Sequence, residues 1–311
     1  MKTSLIFTLS LLLSIAGCAR DKSETTTRGN LHALFAESTA PAMVEEVNQF
    51  LSAYGKAGAN ITYEFVSSED AIRHMLHDTL RYIVSTRPLS PAEKQQLPKI
   101  EGFEVSEIII AYDGMAVVVH QNNLVEKVTT VELSKILSGE IRRWEQLSNA
   151  ETMKGTIEVL YQDSSDVSLF AGSRLLQGKS LRNDLQKTSS SLATLRSIVE
   201  RPLSIGLVGV LWVDSARVPA KVLQVAETRK IQDSTFRVPP ERVGKFCTPH
   251  PANIYRNFYP LKRAIYAYTF GPLASFASGF GTFVATADGQ RIFLEKGIVP
   301  ATQKIRLKAP E

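Results

Sequence analysis

The chain has 311 residues, 44% of them apolar, and a formal charge of +5 from 36 Lys and Arg against 31 Asp and Glu. That length and apolar share suffice for a fold resting on its own core, organised as two lobes. The charge is modest and spread along the chain, with neither zinc-finger spacing nor a stacked-aromatic motif, so nucleic acid is not expected as a partner.

The N-terminus reads as an export signal. Lys2 gives a positive start, Leu5 to Ile15 is a short apolar and hydroxyl run, and small residues precede Cys18. The run is too short for a comfortable membrane span of about 20 residues. The tetrad Ile15-Ala16-Gly17-Cys18 resembles the lipobox of bacterial lipoproteins. That resemblance implies removal of residues 1–17 and lipid attachment at Cys18. The protein would then sit in the cell envelope, anchored to a membrane and facing the periplasm or the cell exterior. Residues 18–30 are polar and charged and read as a flexible tether. With Cys18 lipidated, Cys247 has no internal disulfide partner.

From Leu31 onward, short apolar runs alternate with helical patterns. Leu31 to Phe35, Ile61 to Val66 and Tyr82 to Ser85 read as strands. Met43, Val44, Val47, Phe50 and Leu51 recur at helical spacing, and Ala71 to Leu80 reads as a second helix. Ser90-Pro91-Ala92-Glu93 and Thr129-Thr130-Val131-Glu132 are capping boxes that should open helices. Glu107 to His120 is β-type but long for one lobe, and Asp113-Gly114 suggests a break where the chain crosses over. Further on, Ile157 to Tyr161, Ile205 to Val213, Lys221 to Val225 and Pro260 to Phe270 read as strands. Val167 to Leu176 and Phe276 to Ala287 read as helices. Residues 227–257, with four prolines, read as an irregular excursion. The rhythm predicts an α/β protein in which parallel strands are covered by helices. With a crossing at Asp113 and a return near Tyr259, one lobe holds residues 31–112 and 259–311 and the other holds 113–258. A ligand cleft lies between them.

In such sheets ligands sit beyond strand ends, where helix N-termini favour an anion. Three strand-to-helix turns carry suitable groups: Ser38 and Thr39; Ser85, Thr86 and Arg87; and Ser164 and Ser165. Hydroxyls can donate to an oxyanion, and Arg87 can donate two-pronged. Each hydroxyl has a plainer reading as a helix cap, and Arg87 one as a surface residue.

The stretches Ile110 to Asn123 and Thr130 to Trp144 resemble the crossover and first second-lobe helix of phosphate-binding-protein-like solute receptors. Ser85 to Ser90 resembles their ligand turn, and Ile205 to Val210 their Ile-Gly-Tyr strand. Tyr259 to Arg263 and Gly289 to Pro300 resemble their return strand and final helix. The resemblance spans Leu31 to Pro300. It implies a two-lobed type II periplasmic-binding fold, each lobe a mixed, mostly parallel sheet flanked by helices. It also implies Ser38, Thr39, Ser85, Thr86, Arg87, Asp113, Ser164 and Ser165 as ligand residues. The expected function is capture of a small oxyanion, phosphate by default, by a monomer serving an ABC-type permease. The alternatives are another solute on the same scaffold, or an interaction lipoprotein that has lost phosphate binding. Three positions depart from the family pattern: Thr86 replaces an aspartate, Tyr161 an arginine, and Ser165-Asp166-Val167 a Ser-Gly-Thr triplet. A carboxylate about 4 Å from a bound anion costs on the order of 4 kcal/mol at an effective dielectric of 20. Either Asp166 points away, or the ligand is not plain phosphate.

No enzyme is expected. The five histidines show no metal spacing; His74 and His77 share a helix face, but zinc needs a third ligand. Cys247 lacks a readable base, and Gly-x-Ser-x-Gly is absent. No cofactor or metal is expected.

Overall fold

The computed structural model describes residues 24–77, 80–148, 153–229 and 236–303. Cys18 and the segment read as an export signal lie outside the described residues. Strands β1 (Gly29–Ala36), β2 (Ala59–Val66) and β3 (Tyr82–Ser85) pair in parallel, with β1 in the middle. Helices α1 (Ala40–Tyr54), α2 (Ser68–His77) and α3 (Pro91–Gln96) follow these strands in turn. In the capping box of α3, Glu93 N–H donates to Ser90 Oγ and Ser90 N–H donates to Glu93, at 3.2 and 2.7 Å.

Strand β4 (Glu104–His120) is the spine of the molecule. Its first part pairs antiparallel with β11 (Lys262–Gly271), and Met115 to Val119 pair antiparallel with β8 (Ser204–Gly209). The strand is unbroken at Asp113-Gly114, contrary to the expected interruption. At about 3.3 Å per residue it runs roughly 55 Å and serves both lobes. Packing gives the reason. The Tyr259 ring lies against Gly114, where a Cβ would come within 3.2 Å of it, and the Tyr259 hydroxyl donates to Met115 O at 2.7 Å. The glycine admits an aromatic ring against the strand and makes no turn.

The second lobe continues with β5 (Lys127–Thr129), α4 (Thr130–Ser138), β6 (Glu158–Gln162), α5 (Asp166–Phe170), β7 (Gln186–Thr188) and α6 (Ser191–Glu200). Helix α5 runs on as a wider π-type turn through Leu176. Strand β6 pairs in parallel with β7 and β8. The apolar run expected as one strand over Ile205–Val213 divides at Gly209. Strand β8 stops there and α7 (Val210–Ser215) begins, because hydrophobicity alone does not separate a buried strand from a buried helix. The run expected over Lys221–Val225 divides too. Strand β9 (Ala220–Val222) joins β4, while β10 (Gln224–Ala226) pairs with β5 in a separate small sheet. After α8 (Pro251–Tyr255) and the return strand β11 come α9 (Phe276–Ala285), α10 (Ala287–Glu295) and β12 (Val299–Pro300), which pairs with β4.

Among the described residues the core falls into three clusters, one of which runs from Phe35 and Phe50 through to Leu160, Leu195 and Val208. Phe35, Met43, Phe50, Phe276 and Phe280 fill one side of the first sheet, and Ile72, Met75, Ile83 and Tyr268 the other. Trp144, Leu133, Val159, Ile205 and Tyr259 belong to the second lobe's core. The segment expected as a tether does not extend to Asn30. β1 starts at Gly29, and Glu24 is tied down: it accepts from Phe276 N at 2.6 Å and from Arg81 at 2.8 Å.

Candidate ligand-binding site

Three turns of the first lobe and one of the second meet where the lobes face each other. After β1 the chain turns through Glu37-Ser38-Thr39 into α1, and both hydroxyl residues are fully buried. The Thr39 hydroxyl donates to Ala36 O at 2.7 Å, closing the turn, and is not offered outward. The Ser38 hydroxyl caps nothing; it donates across the lobes to Asp166 Oδ2 at 3.4 Å.

The N-terminus of α2 supplies the second donor. Ser68 N–H donates to Asp166 Oδ1 at 2.9 Å. Its hydroxyl accepts from Thr86 N at 2.9 Å and shares a hydrogen bond with Thr86 Oγ1 at 3.2 Å, which fixes the third turn against the second. Ser68 was absent from the sequence expectation. The signal was present: Ser67-Ser68-Glu69-Asp70 follows a strand, and Ser67 exchanges hydrogen bonds with Asp70 at 2.8 and 3.1 Å.

At the third turn, Ser85 works locally, donating to Arg87 O at 2.8 Å and accepting from Arg87 N at 3.2 Å. Arg87 does not reach the Ser38–Ser68 donors with its charge. It forks onto Glu93 at 2.8 and 2.7 Å and meets Glu69 at 3.1 Å. The guanidinium hydrogen bonds hold the Glu93 carboxyl down at about 2. Arg87→Ala is expected to cost about 1 kcal/mol of stability and to leave anion affinity within about threefold. A loss of tenfold or more by calorimetry would return Arg87 to the ligand-contacting set.

In the second lobe, Ser165 caps α5. It accepts from Ser168 N at 3.2 Å and donates to Gln162 O at 2.6 Å. Ser164 is exposed, in a left-handed conformation with φ 49°, and its N–H turns back to Asp163 Oδ1. The residue of this turn that enters the inter-lobe space is Asp166, buried with 3% exposure. Asp166 does not point away from this space, so phosphate can take the Ser38 and Ser68 donors only where the Asp166 carboxylate has left them. A reciprocal contact lies alongside. The Glu37 carboxylate of the first lobe accepts from Ser191 N and Oγ at the start of α6, at 3.2 and 2.9 Å. Burial raises its pKa against those hydrogen bonds, and the nearby Asp166 charge adds to the rise.

Asp113 is fully buried at the hinge of the lobes. Its Oδ2 accepts from Arg263 Nε and Nη2 at 3.1 and 2.7 Å. Arg263 is the second residue the sequence reading missed; Nη1 of this buried side chain has no hydrogen-bond partner among the described residues. Gly209 allows the cluster to close, since a Cβ there would stand 2.8 Å from Arg263 Nη2 and 3.3 Å from Ser38 O. A cleft of about 120 Å³ adjoins the cluster, lined by Thr86, Arg87, Arg174, Lys262 and Arg263 with Phe170, Phe236 and Tyr266. Burial pulls Lys262 down to about 8; its Nζ donates to Asn257 and lies 4.1 Å from the centre of the Tyr112 ring. Tyr161, where the resemblance implies an arginine, is buried in the second-lobe core.

A family model described as a PBP superfamily domain matches residues 21–288. The chain belongs to that superfamily. Among PBP-superfamily relatives, the phosphate-binding protein PstS of Pseudomonas aeruginosa is 21% identical, the match covering 90% of this chain and 86% of that one. The phosphate-binding protein PstS of Borreliella burgdorferi is 24% identical over 81% of this chain and 85% of its own. A substrate-binding protein from Clostridium perfringens, solved with bound phosphate, superposes with a TM-score of 0.69 at 20% identity, covering 88% of this chain and all of that one. An ABC-type phosphate transport receptor from Vibrio cholerae gives 0.65 at 18% identity, covering 87% of this chain. These superpositions establish the two-lobed PBP-superfamily fold. No described helix is long and apolar enough to cross a membrane. No described group of three or more His, Cys, Asp and Glu residues could hold a metal ion.

Proposed function

We propose that the protein is a lipid-anchored, extracytoplasmic solute receptor that captures a small oxyanion, phosphate first among candidates, for an ABC-type uptake system. One observation carries the reading. A hydroxyl and a helix N-terminal N–H from two turns of the first lobe converge on a single carboxylate from the second lobe. Donors that together hold a carboxylate are the donors an oxyanion needs, and a helix tip of 10 residues adds a favourable dipole. The names of the relatives supply phosphate as the first candidate, and the Ile15-Ala16-Gly17-Cys18 tetrad supports the anchor. Capture without chemistry agrees with those names, and Cys247, buried and raised to about 11, is poorly suited to act as a nucleophile.

Calorimetry on the mature protein, at low and high salt, tests this. The expected result is saturable 1:1 binding of phosphate that persists at high salt, because buried donors are screened little. A folded protein that gives no heat with phosphate, sulfate or another small oxyanion would end the oxyanion reading.

A further inference from the structure

We propose that Asp166 is a built-in occupant of the oxyanion site, a tethered carboxylate that a ligand must displace and that thereby sets the site's affinity and selectivity. This rests on the oxyanion reading above and deepens it. Asp166 opens α5 of the second lobe, yet its two oxygens take the Ser68 N–H and the Ser38 hydroxyl of the first. The carboxylate is buried, so it competes for those donors with little screening. The donors are themselves positioned. Ser68 is locked to Thr86 through both its hydroxyl and the Thr86 N–H, and Ser38 sits on a turn closed by Thr39.

The grip is incomplete by design of the contacts. Oδ2 accepts at 3.4 Å, a long and weak hydrogen bond, and no Lys or Arg side chain among the described residues hydrogen-bonds to the carboxylate. A tetrahedral oxyanion offers more acceptor oxygens to the same donors, so it can exchange with the side chain. It cannot hold these two donors at the same time as the side chain, because the Ser68 N–H and the Ser38 hydroxyl each offer a single hydrogen. The contact also ties the lobes together without ligand, beside the Glu37–Ser191 contact that runs the opposite way. A receptor whose donors are occupied by its own carboxylate in about 99 of 100 molecules binds about 100-fold more weakly than its open form.

The test uses the mature protein with Asp166→Gly and Asp166→Asn. The asparagine keeps the side chain's shape and an acceptor for Ser68, so it guards against a folding failure. Inorganic phosphate is titrated calorimetrically into all three proteins. Amide exchange of residues 66–72 is followed in the ligand-free wild type and Asp166→Gly. The expected result is phosphate affinity about 100-fold higher in Asp166→Gly and raised by less in Asp166→Asn, whose amide oxygen still accepts from Ser68, with faster exchange at the Ser68 amide in Asp166→Gly until phosphate is added. Equal, measurable affinity in all three proteins would overturn the competition and leave the oxyanion reading standing. No phosphate binding by any of them, with the Ser68 amide still deprotected in Asp166→Gly, would uphold Asp166 as the occupant and overturn phosphate. No binding and unchanged exchange would overturn both.

Discussion

Arg263→Ala is expected to destabilise the protein by about 3–5 kcal/mol at pH 7, measured by urea unfolding. The side chains of Arg263 and Asp113 are 3% and 0% exposed, so neither charge has water to fall back on. Burial already pushes the Asp113 carboxyl above its usual value, and Arg263 opposes that push. With the guanidinium gone, the aspartate must stay charged without a partner or take up a proton. Either course costs the folded state. The expectation separates loss of a partner from the worth of the pair. The double variant Asp113→Asn with Arg263→Met removes both charges and should recover a large part of the loss, because a buried pair and a neutral replacement are often near equal. A loss under about 1 kcal/mol in Arg263→Ala would mean the hinge is wet and the pair screened.

Glu46→Met is expected to act in the other direction, with a gain that depends on pH. Glu46 lies on α1 against the first core, fully buried, with no partner for either oxygen among the described residues. Burial raises its pKa to about 9, and the neighbouring Glu45 charge adds to the shift. In the unfolded chain the group titrates near its ordinary 4.5. Below that value it is protonated in both states and has no pH effect. Between 4.5 and 9 the unfolded chain releases the proton while the folded one keeps it, so wild-type stability falls as pH rises. Above 9 both states are ionised and the loss levels off. At about 1.36 kcal/mol per pH unit, the advantage of Glu46→Met should grow by about 3 kcal/mol between pH 5 and pH 7. Methionine is of similar length and fits irregular apolar space. Other titrating groups cancel in the difference between the two proteins, so parallel stability–pH curves would refute the assignment.

Glu46 also shows where sequence reading stops short. Its neighbours Met43, Val47 and Phe50 mark the buried face of α1 by helical spacing, and Glu46 falls on that face as an exception. Spacing shows that a charged residue points inward; it does not show whether a partner waits there. The same limit applies at the site. The strand-to-turn-to-helix rhythm marked the turns after β1, β3 and β6 as candidate places for anion-binding groups, because helix tips expose unpaired N–H groups wherever they occur. It was not enough to say which hydroxyl faces the gap. Ser85 and Ser165 bond to their own turns, while Ser38 spans to the other lobe.

Local signals, then, determined the elements with strong local chemistry. The two capping boxes open α3 and α4 as the residues demand, since each satisfies two N–H groups within four residues of chain. The tertiary structure decided whatever depends on residues far apart in sequence. Gly114 continues a strand because Tyr259 packs on it, and Val210 begins a helix although its apolar run reads as strand. Arg87 turns to Glu93 and Glu69, Arg263 pairs with Asp113 across 150 positions, and Asp166 reaches Ser38 across 128. A helix cap is settled by atoms within one turn of chain. The partner of a buried charge is settled only when two distant segments are brought together and the water between them is removed.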